Sequence, residues 1–300
     1  MQHLTTLRFI DAIARAGSIR RAASDMNITP SALNRRLLAV EEELDAPLFE
    51  RLPAGVRPSA AGELFLVHAR RQLADMERMR SKIEDMKGAR FGHVNFGFDE
   101  ALVAEGFGEA VQVYRSQHDA VSFNIQRYRA DDVQTALDEY RIDLASIVDP
   151  VASTTITTLA TAPVSVAAIM SPRHPLAQRG TVTFNDLLAF PLVLPPKGSL
   201  RRVLERGAAR QDFTLRPMLE CDLRFAAATL RETDAIGFQA NTSTRHEVSL
   251  PNAVAVPIRT RDVPNPMLHL VQLRGRSLSV AASRFADMLL QRFARYSGEV

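Results

Sequence analysis

The chain has 300 residues, 46% of them hydrophobic and 24% charged, with a formal net charge of +3. This is a soluble globular composition with room for two or three domains, and no apolar run approaches the length that spans a bilayer. The single cysteine, Cys221, excludes an intrachain disulfide and a multi-cysteine metal site, and MQHLTTLRF lacks the pattern of a signal peptide, so a reducing, cytoplasmic setting is expected.

Residues 3–16 are predicted to form a helix with Leu4, Leu7, Ile10, Ile13 and Ala14 on one face, closed by Gly17. Ile19, Ala22, Ala23 and Met26 repeat at helical spacing behind Ser18, a suitable N-cap. Asn27 tolerates the left-handed conformation of a sharp turn, and Thr29-Pro30 opens a second helix as N-cap and first helical residue. That helix directs Leu33, Leu37, Val40 and Leu44 inward and leaves Ser31, Asn34, Arg35 and, nearby, Arg36 outward. The stretch reads as a helix-turn-helix with an outer face suited to base edges and phosphates. A helical hairpin with a basic solvated face fits the same residues. Arg8, Arg15, Arg20, Arg21, Arg35 and Arg36 outnumber Asp11 and Asp25 here, an imbalance that steers a segment toward a polyanion. Glu41, Glu42 and Glu43 would repel phosphate, so the DNA-facing part is the N-terminal half of the second helix.

Residues 45–63 hold two short segments, around 48–51 and 56–58, on either side of a Pro-Ala-Gly turn, as in a small β-wing. Arg51 and Arg57 are placed to touch a sugar-phosphate backbone, although a plain surface loop fits either one alone. Ser59 caps a long helix from about Ala60 to Lys87 with Leu66, Leu73, Met76 and Ile83 along an apolar stripe. Its opposite face is charged and includes Arg70. Such a helix calls for a partner: a second copy, or the chain's own C-terminal part. After Lys87-Gly88 the texture changes to strands over 93–98, 121–126, 143–148, 164–170, 191–195, 235–239 and 252–258, alternating with helices over 101–117, 130–141, 198–210, 222–232 and 277–296. That alternation predicts mostly parallel sheet in two α/β lobes, with a cleft beyond the carboxyl ends of the strands.

Taken in order, Phe9, Gly17-Ser18, Ala22-Ala23, Pro30-Ser31-Ala32-Leu33, Glu41, Glu43-Leu44, Leu48-Phe49-Glu50-Arg51 and Ala61-Gly62 resemble the N-terminal pattern of LysR-type transcriptional regulators. His174-Pro175-Leu176-Ala177, Asp186-Leu187 and PLVLP continue the resemblance, which covers essentially the whole chain. It implies an all-α winged helix-turn-helix over 1–58, a dimerising linker helix over 59–88, and an α/β effector-binding domain over 89–300 similar to periplasmic binding proteins. Lobe one would span about 91–162 and 267–300, and lobe two about 163–266. It further implies a dimer or tetramer that binds an imperfect palindrome near a promoter, responds to a small-molecule effector and meets RNA polymerase. The DNA-binding set is Ser18, Arg20, Pro30, Ser31, Asn34, Arg35, Arg36, Arg51 and Arg57. The dimerisation set is Leu66, Leu73, Met76 and Ile83. Asn34 departs from the family's usual serine, and an amide can read an adenine edge with two hydrogen bonds. Asp45 replaces a usual glycine, where αL geometry is less easily adopted.

The family's cleft positions fall here on Asp99, Glu100, Arg129, Pro196, Gly198, Ser199 and Leu223 to Phe225. Ser199 and nearby amides start a helix, which suits a carboxylate or phosphate. Asp99 and Glu100 would repel such an anion unless Arg127 or Arg129 neutralises them, so a mixed site would suit an amino-acid-like or hydroxylated ligand. They could equally cap the following helix, and Arg129 could be a surface charge. No Gly-x-Ser-x-Gly, HExxH or P-loop motif is present, and the histidines are scattered; no catalysis, cofactor or metal is expected. A metabolite sensor that does not touch DNA is a further reading, and the arginine-bearing second helix speaks against it.

Overall fold

The computed structural model describes residues 2–86, 91–99, 101–102, 105–241, 250–263 and 266–298. The expected helix end at Lys87-Gly88, and Glu100, lie outside them. The chain forms two compact units that divide near residue 90.

The first unit contains α1 (Gln2–Ala16), α2 (Ile19–Asp25), α3 (Pro30–Glu43), β1 (Phe49–Leu52), β2 (Gly55–Pro58) and α4 (Ala60–Met86). Its turns follow the chemistry of their residues. Gly17 takes φ +61 and its amide bonds back to Ile13 O at 2.9 Å. The Ser18 side chain caps α2, Asn27 takes φ 53, and Thr29 caps α3 with Pro30 at its first position. Asp45 adopts φ 49, so the aspartate takes the left-handed path that the family's glycine would serve. Phe9, Ile10, Ile13, Ala22, Ala23, Leu33, Leu37, Leu48 and Phe49 form the core. β1 and β2 pair antiparallel from Phe49↔Pro58 to Leu52↔Gly55. The wing is pinned at two points. Val56 N–H donates to Gly17 O at 2.9 Å, and the Glu41 carboxylate accepts from the amides of Leu48 and Phe49 at 2.6 and 3.2 Å. Gly55 allows the first contact, because a Cβ there would lie 2.2 Å from Gly17 O.

Three expectations for this unit are corrected. Leu66 is 1% exposed and packs in this unit's own core, so it is not available to a dimer seam. Arg70, expected on the solvated face, is buried, and its Nε meets Asp11 Oδ1 at 2.7 Å. Leu44 is exposed because α3 ends at Glu43 and the chain turns away.

The second unit has two lobes. The first holds β3 (Gly92–Asp99), α5 (Glu105–Gln117), β4 (Val121–Tyr128), α6 (Ala130–Asp138), β5 (Leu144–Val148) and β6 (Ile156–Pro163). The second holds β7 (Ser165–Met170), α7 (Phe184–Leu187), β8 (Leu192–Leu194), α8 (Ser199–Ala209), β9 (Pro217–Glu220), α9 (Ala227–Glu232), β10 (Gly237–Asn241) and β11 (Val254–Pro257). The chain then returns to the first lobe with β12 (Met267–Leu273) and α10 (Val280–Gly298). The first lobe's sheet has the order β4-β3-β5-β12-β6, and the second's has β10-β7-β11, with β8 and β9 paired separately.

The sheets are less parallel than expected. Strands β3, β4 and β5 run parallel, and so do β8 and β9, but β12 is antiparallel to β5 and β6, and β7 to β10 and β11. The two crossings between lobes lie side by side: β6 ends at Pro163, β12 begins at Met267, and Val164 N–H donates to Pro266 O at 2.9 Å. Phe285 of α10 is fully buried and meets Phe96 and Tyr114 edge-on at 5.6 and 5.7 Å, which seats the C-terminal helix in the first lobe.

Candidate nucleic-acid interface and ligand cleft

In the first unit, buried Leu33 and Leu37 anchor α3, and the face turned away carries exposed Ser31 and Arg35 with half-buried Asn34 between them. Leu38, one turn beyond Asn34 and two beyond Ser31, is 46% exposed, an apolar group the sequence reading missed. Such a side chain can meet a thymine methyl. Pro30 is exposed at the helix start. The other predicted residues differ in what already holds them. The Ser18 oxygen serves as the α2 cap. Arg36 lies over the Phe9 ring at 5.4 Å. Arg57 is paired with Glu50 at 2.7 Å, whereas Arg20 and Arg51 are exposed. Arg21 donates to Ala16 O and so ties the start of α2 to the end of α1.

In the second unit, Asp99 and Ser199 are both buried and bonded to each other. Asp99 Oδ1 accepts from Ala101 N at 2.9 Å, and Oδ2 accepts from Val148 N at 3.0 Å and from the Ser199 hydroxyl. Burial pushes the Asp99 carboxyl above its ordinary value, and the Ser199, Ala101 and Val148 bonds and the Arg202 charge oppose that rise. Gly198 and Ser199 are buried at the start of α8, and Pro196 is exposed in the loop before it. Around this pair, Arg202 meets Asp131 at 3.3 Å, Arg206 meets Asp149, and Arg127 approaches Asp222 at 3.8 Å.

Two predicted cleft residues are not brought to this cluster. Arg129 is exposed before α6 and bonds neither Asp99 nor Ser199. Phe225 is 77% exposed, so it stands in solvent instead of lining an enclosed site. Among the described residues no group of three or more His, Cys, Asp or Glu side chains is placed to hold a metal ion. Burial pushes the Cys221 thiol up, which makes it a poor nucleophile.

The domain models give the decisive comparison. "LysR substrate binding domain" matches residues 87–294, and "Bacterial regulatory helix-turn-helix protein, lysR family" matches residues 4–63. The chain belongs to the LysR family of transcriptional regulators. Its relatives are regulators, not enzymes. The RuBisCO operon transcriptional regulator of Allochromatium vinosum is 24% identical over 295 residues, covering 97% of each chain. Two solved structures share the fold. Full-length CbnR complexed with its target DNA superposes with a TM-score of 0.67 at 17% identity, over 98% of this chain and 99% of that one. The effector binding domain of QuiR in complex with shikimate gives 0.57 at 17% identity, over 68% of this chain and 98% of that one.

The family's second signature in this LysR-type regulator has a structural reading. His174 is buried, Nδ1 accepts from Leu176 N at 3.1 Å, and Nε2 donates to Asp234 O at 3.2 Å. Its ring lies 4.3 Å from that of Phe190. The His-Pro-Leu-Ala stretch therefore staples a turn of the second lobe.

Proposed function

We propose that this regulator places the N-terminal half of α3 in the major groove, where Ser31, Asn34 and Arg35 read base edges. Pro30, Ser18 and Arg20 sit at the backbone beside them, Arg36 is held nearby over Phe9, and the wing lays Arg51 and Arg57 along the sugar-phosphate chain. The functional division is a DNA-binding domain over 1–58, a linker helix over 59–88 and an effector domain over 89–300. Two copies join through the part of α4 beyond Leu66, with Leu73, Met76 and Ile83 in the seam, and bind an imperfect palindrome. A small molecule between the lobes sets the state of the assembly, which acts in the cytoplasm on RNA polymerase at the promoter. CbnR's complex with target DNA and the QuiR domain's complex with shikimate support the two halves of this reading.

The observation that carries it is the polar face of α3, exposed while Leu33 and Leu37 fix the helix from behind. Full-length protein is expected to bind the DNA upstream of its own gene with a Kd on the order of 10⁻⁸ M at physiological salt, far tighter than random duplex. Asn34→Ala is expected to cost roughly 1–3 kcal/mol and to relax preference at one base pair. Equal affinity for upstream and random DNA overturns the reading. Uniform weakening by Asn34→Ala would move that residue from base to backbone.

A further inference from the structure

Helix α8 belongs to the second lobe, and one of its faces is bonded to the first. Ser199, Arg202 and Arg206, at i, i+3 and i+7, meet Asp99 at the end of β3, Asp131 in the first turn of α6, and Asp149 just after β5. The two arginine pairs are partly exposed, and pairs of that kind contribute little. The Asp99 contact is different in kind, because carboxylate and hydroxyl are both buried.

All three partners of that carboxylate donate. Two are amides of the first lobe, from Ala101 and Val148, and the third is the hydroxyl that begins α8 in the second lobe. A cage of donors fits the ionised form, and hydrogen bonds to an ionised acceptor are the strong ones. These are also the groups a small anionic ligand would seek: amides, a hydroxyl and the positive end of an 11-residue helix. In this chain the two amides and the hydroxyl are already filled from within, and the carboxylate stands at the helix start.

We propose that Asp99 is a resident anion of the cleft, whose carboxylate bridges the two lobes without a ligand and excludes simple carboxylates and phosphates from the start of α8. This deepens the effector reading given above and rests on it. The effector is then a ligand that binds beside this carboxylate or engages it through a cation or hydrogen-bond donor.

The test uses the full chain and two probes, inorganic phosphate and acetate, at ionic strength matched with sodium chloride. The thermal midpoint of wild type is expected to ignore both probes. Asp99→Ser removes the carboxylate and leaves room, so its midpoint starts lower and recovers by several degrees, saturably, with either anion. A saturable wild-type response equal to the variant's overturns the proposal while supporting an effector cleft. A folded Asp99→Ser that responds to neither anion also overturns it and leaves the DNA-binding reading untouched. Should Asp99→Ser fail to fold, Asp99→Asn and Ser199→Ala form a double-mutant cycle. The midpoint loss from Asp99→Asn is expected to shrink at least twofold in the Ser199→Ala background, and equal losses in both backgrounds overturn the bridge between lobes.

Discussion

His174 shows what a single side chain settles in this protein. The Leu176 N–H points at Nδ1, so the ring proton sits on Nε2 and the imidazole is neutral. Burial holds its pKa below the ordinary 6.5, against the opposing pull of Asp234. The sign of the pH effect follows. As pH falls below about 6.5, the unfolded chain takes a proton that the folded ring refuses, so stability is full above that value and declines toward the lower folded pKa. Urea unfolding at pH 7.5 and 5.5 is expected to show wild type losing more stability on acidification than His174→Asn. At pH 7.5 the variant itself should be weaker by roughly 1–3 kcal/mol, from the buried partners left unpaired. Parallel pH slopes for the two proteins would mean that His174 titrates as freely in the folded state as in the unfolded one.

At the scale of elements, α4 changes character along its length. Its first half is core: Leu66 and Ala69 are buried and Arg70 is locked to Asp11. Further along, Leu73 and Met76 are half-buried, while Met79 and Ile83 are 46% and 41% exposed. The apolar stripe is therefore buried in this unit's core only over the first part of the helix, which periodicity alone cannot show. Leu66→Ala is expected to cost about 2–5 kcal/mol of first-unit stability by leaving a cavity. Ile83→Glu is expected to lower the mass in solution toward the monomer while leaving circular dichroism and urea midpoint near wild type. An unchanged mass would remove Ile83 from the seam. The helix-turn-helix and wing were legible residue by residue because caps, left-handed turns and apolar periods are local signals. Strands β6, β9 and β12 were missed for definite reasons. β6 runs straight into β7 past Pro163–Val164, β9 is four mostly exposed residues, and β12 has no helix between it and β11. The Asp99–Ser199 bond, 100 residues apart in sequence, and the roles of Arg70 and Glu41 depend on tertiary neighbours, and no local spacing announces them.

For the whole regulator, the net charge of +3 is small for a protein that must hold a polyanion, so affinity rests on where the arginines are placed and what else they touch. Each phosphate neutralised adds about 0.9 to the slope of log affinity against log salt. Arg51 and Arg57 sit on adjacent strands of one wing, yet their side chains are held differently. Arg51 is exposed, whereas the guanidinium of Arg57 is already bonded to Glu50 through both Nε and an NH2 group at 2.7 Å. An arginine that must leave or share a carboxylate gives less net attraction to a phosphate than one coming from water. Affinity titrations from low to moderate salt are expected to show Arg51→Ala lowering the slope by about 1 per protomer, with Arg57→Ala lowering it by clearly less. Removing the carboxylate with Glu50→Gln should raise the slope and tighten binding, because it frees Arg57 and removes a negative charge from the wing. Equal losses for the two arginines, with no gain from Glu50→Gln, would mean that the ion pair opens fully on DNA and that the wing presents two equivalent cations.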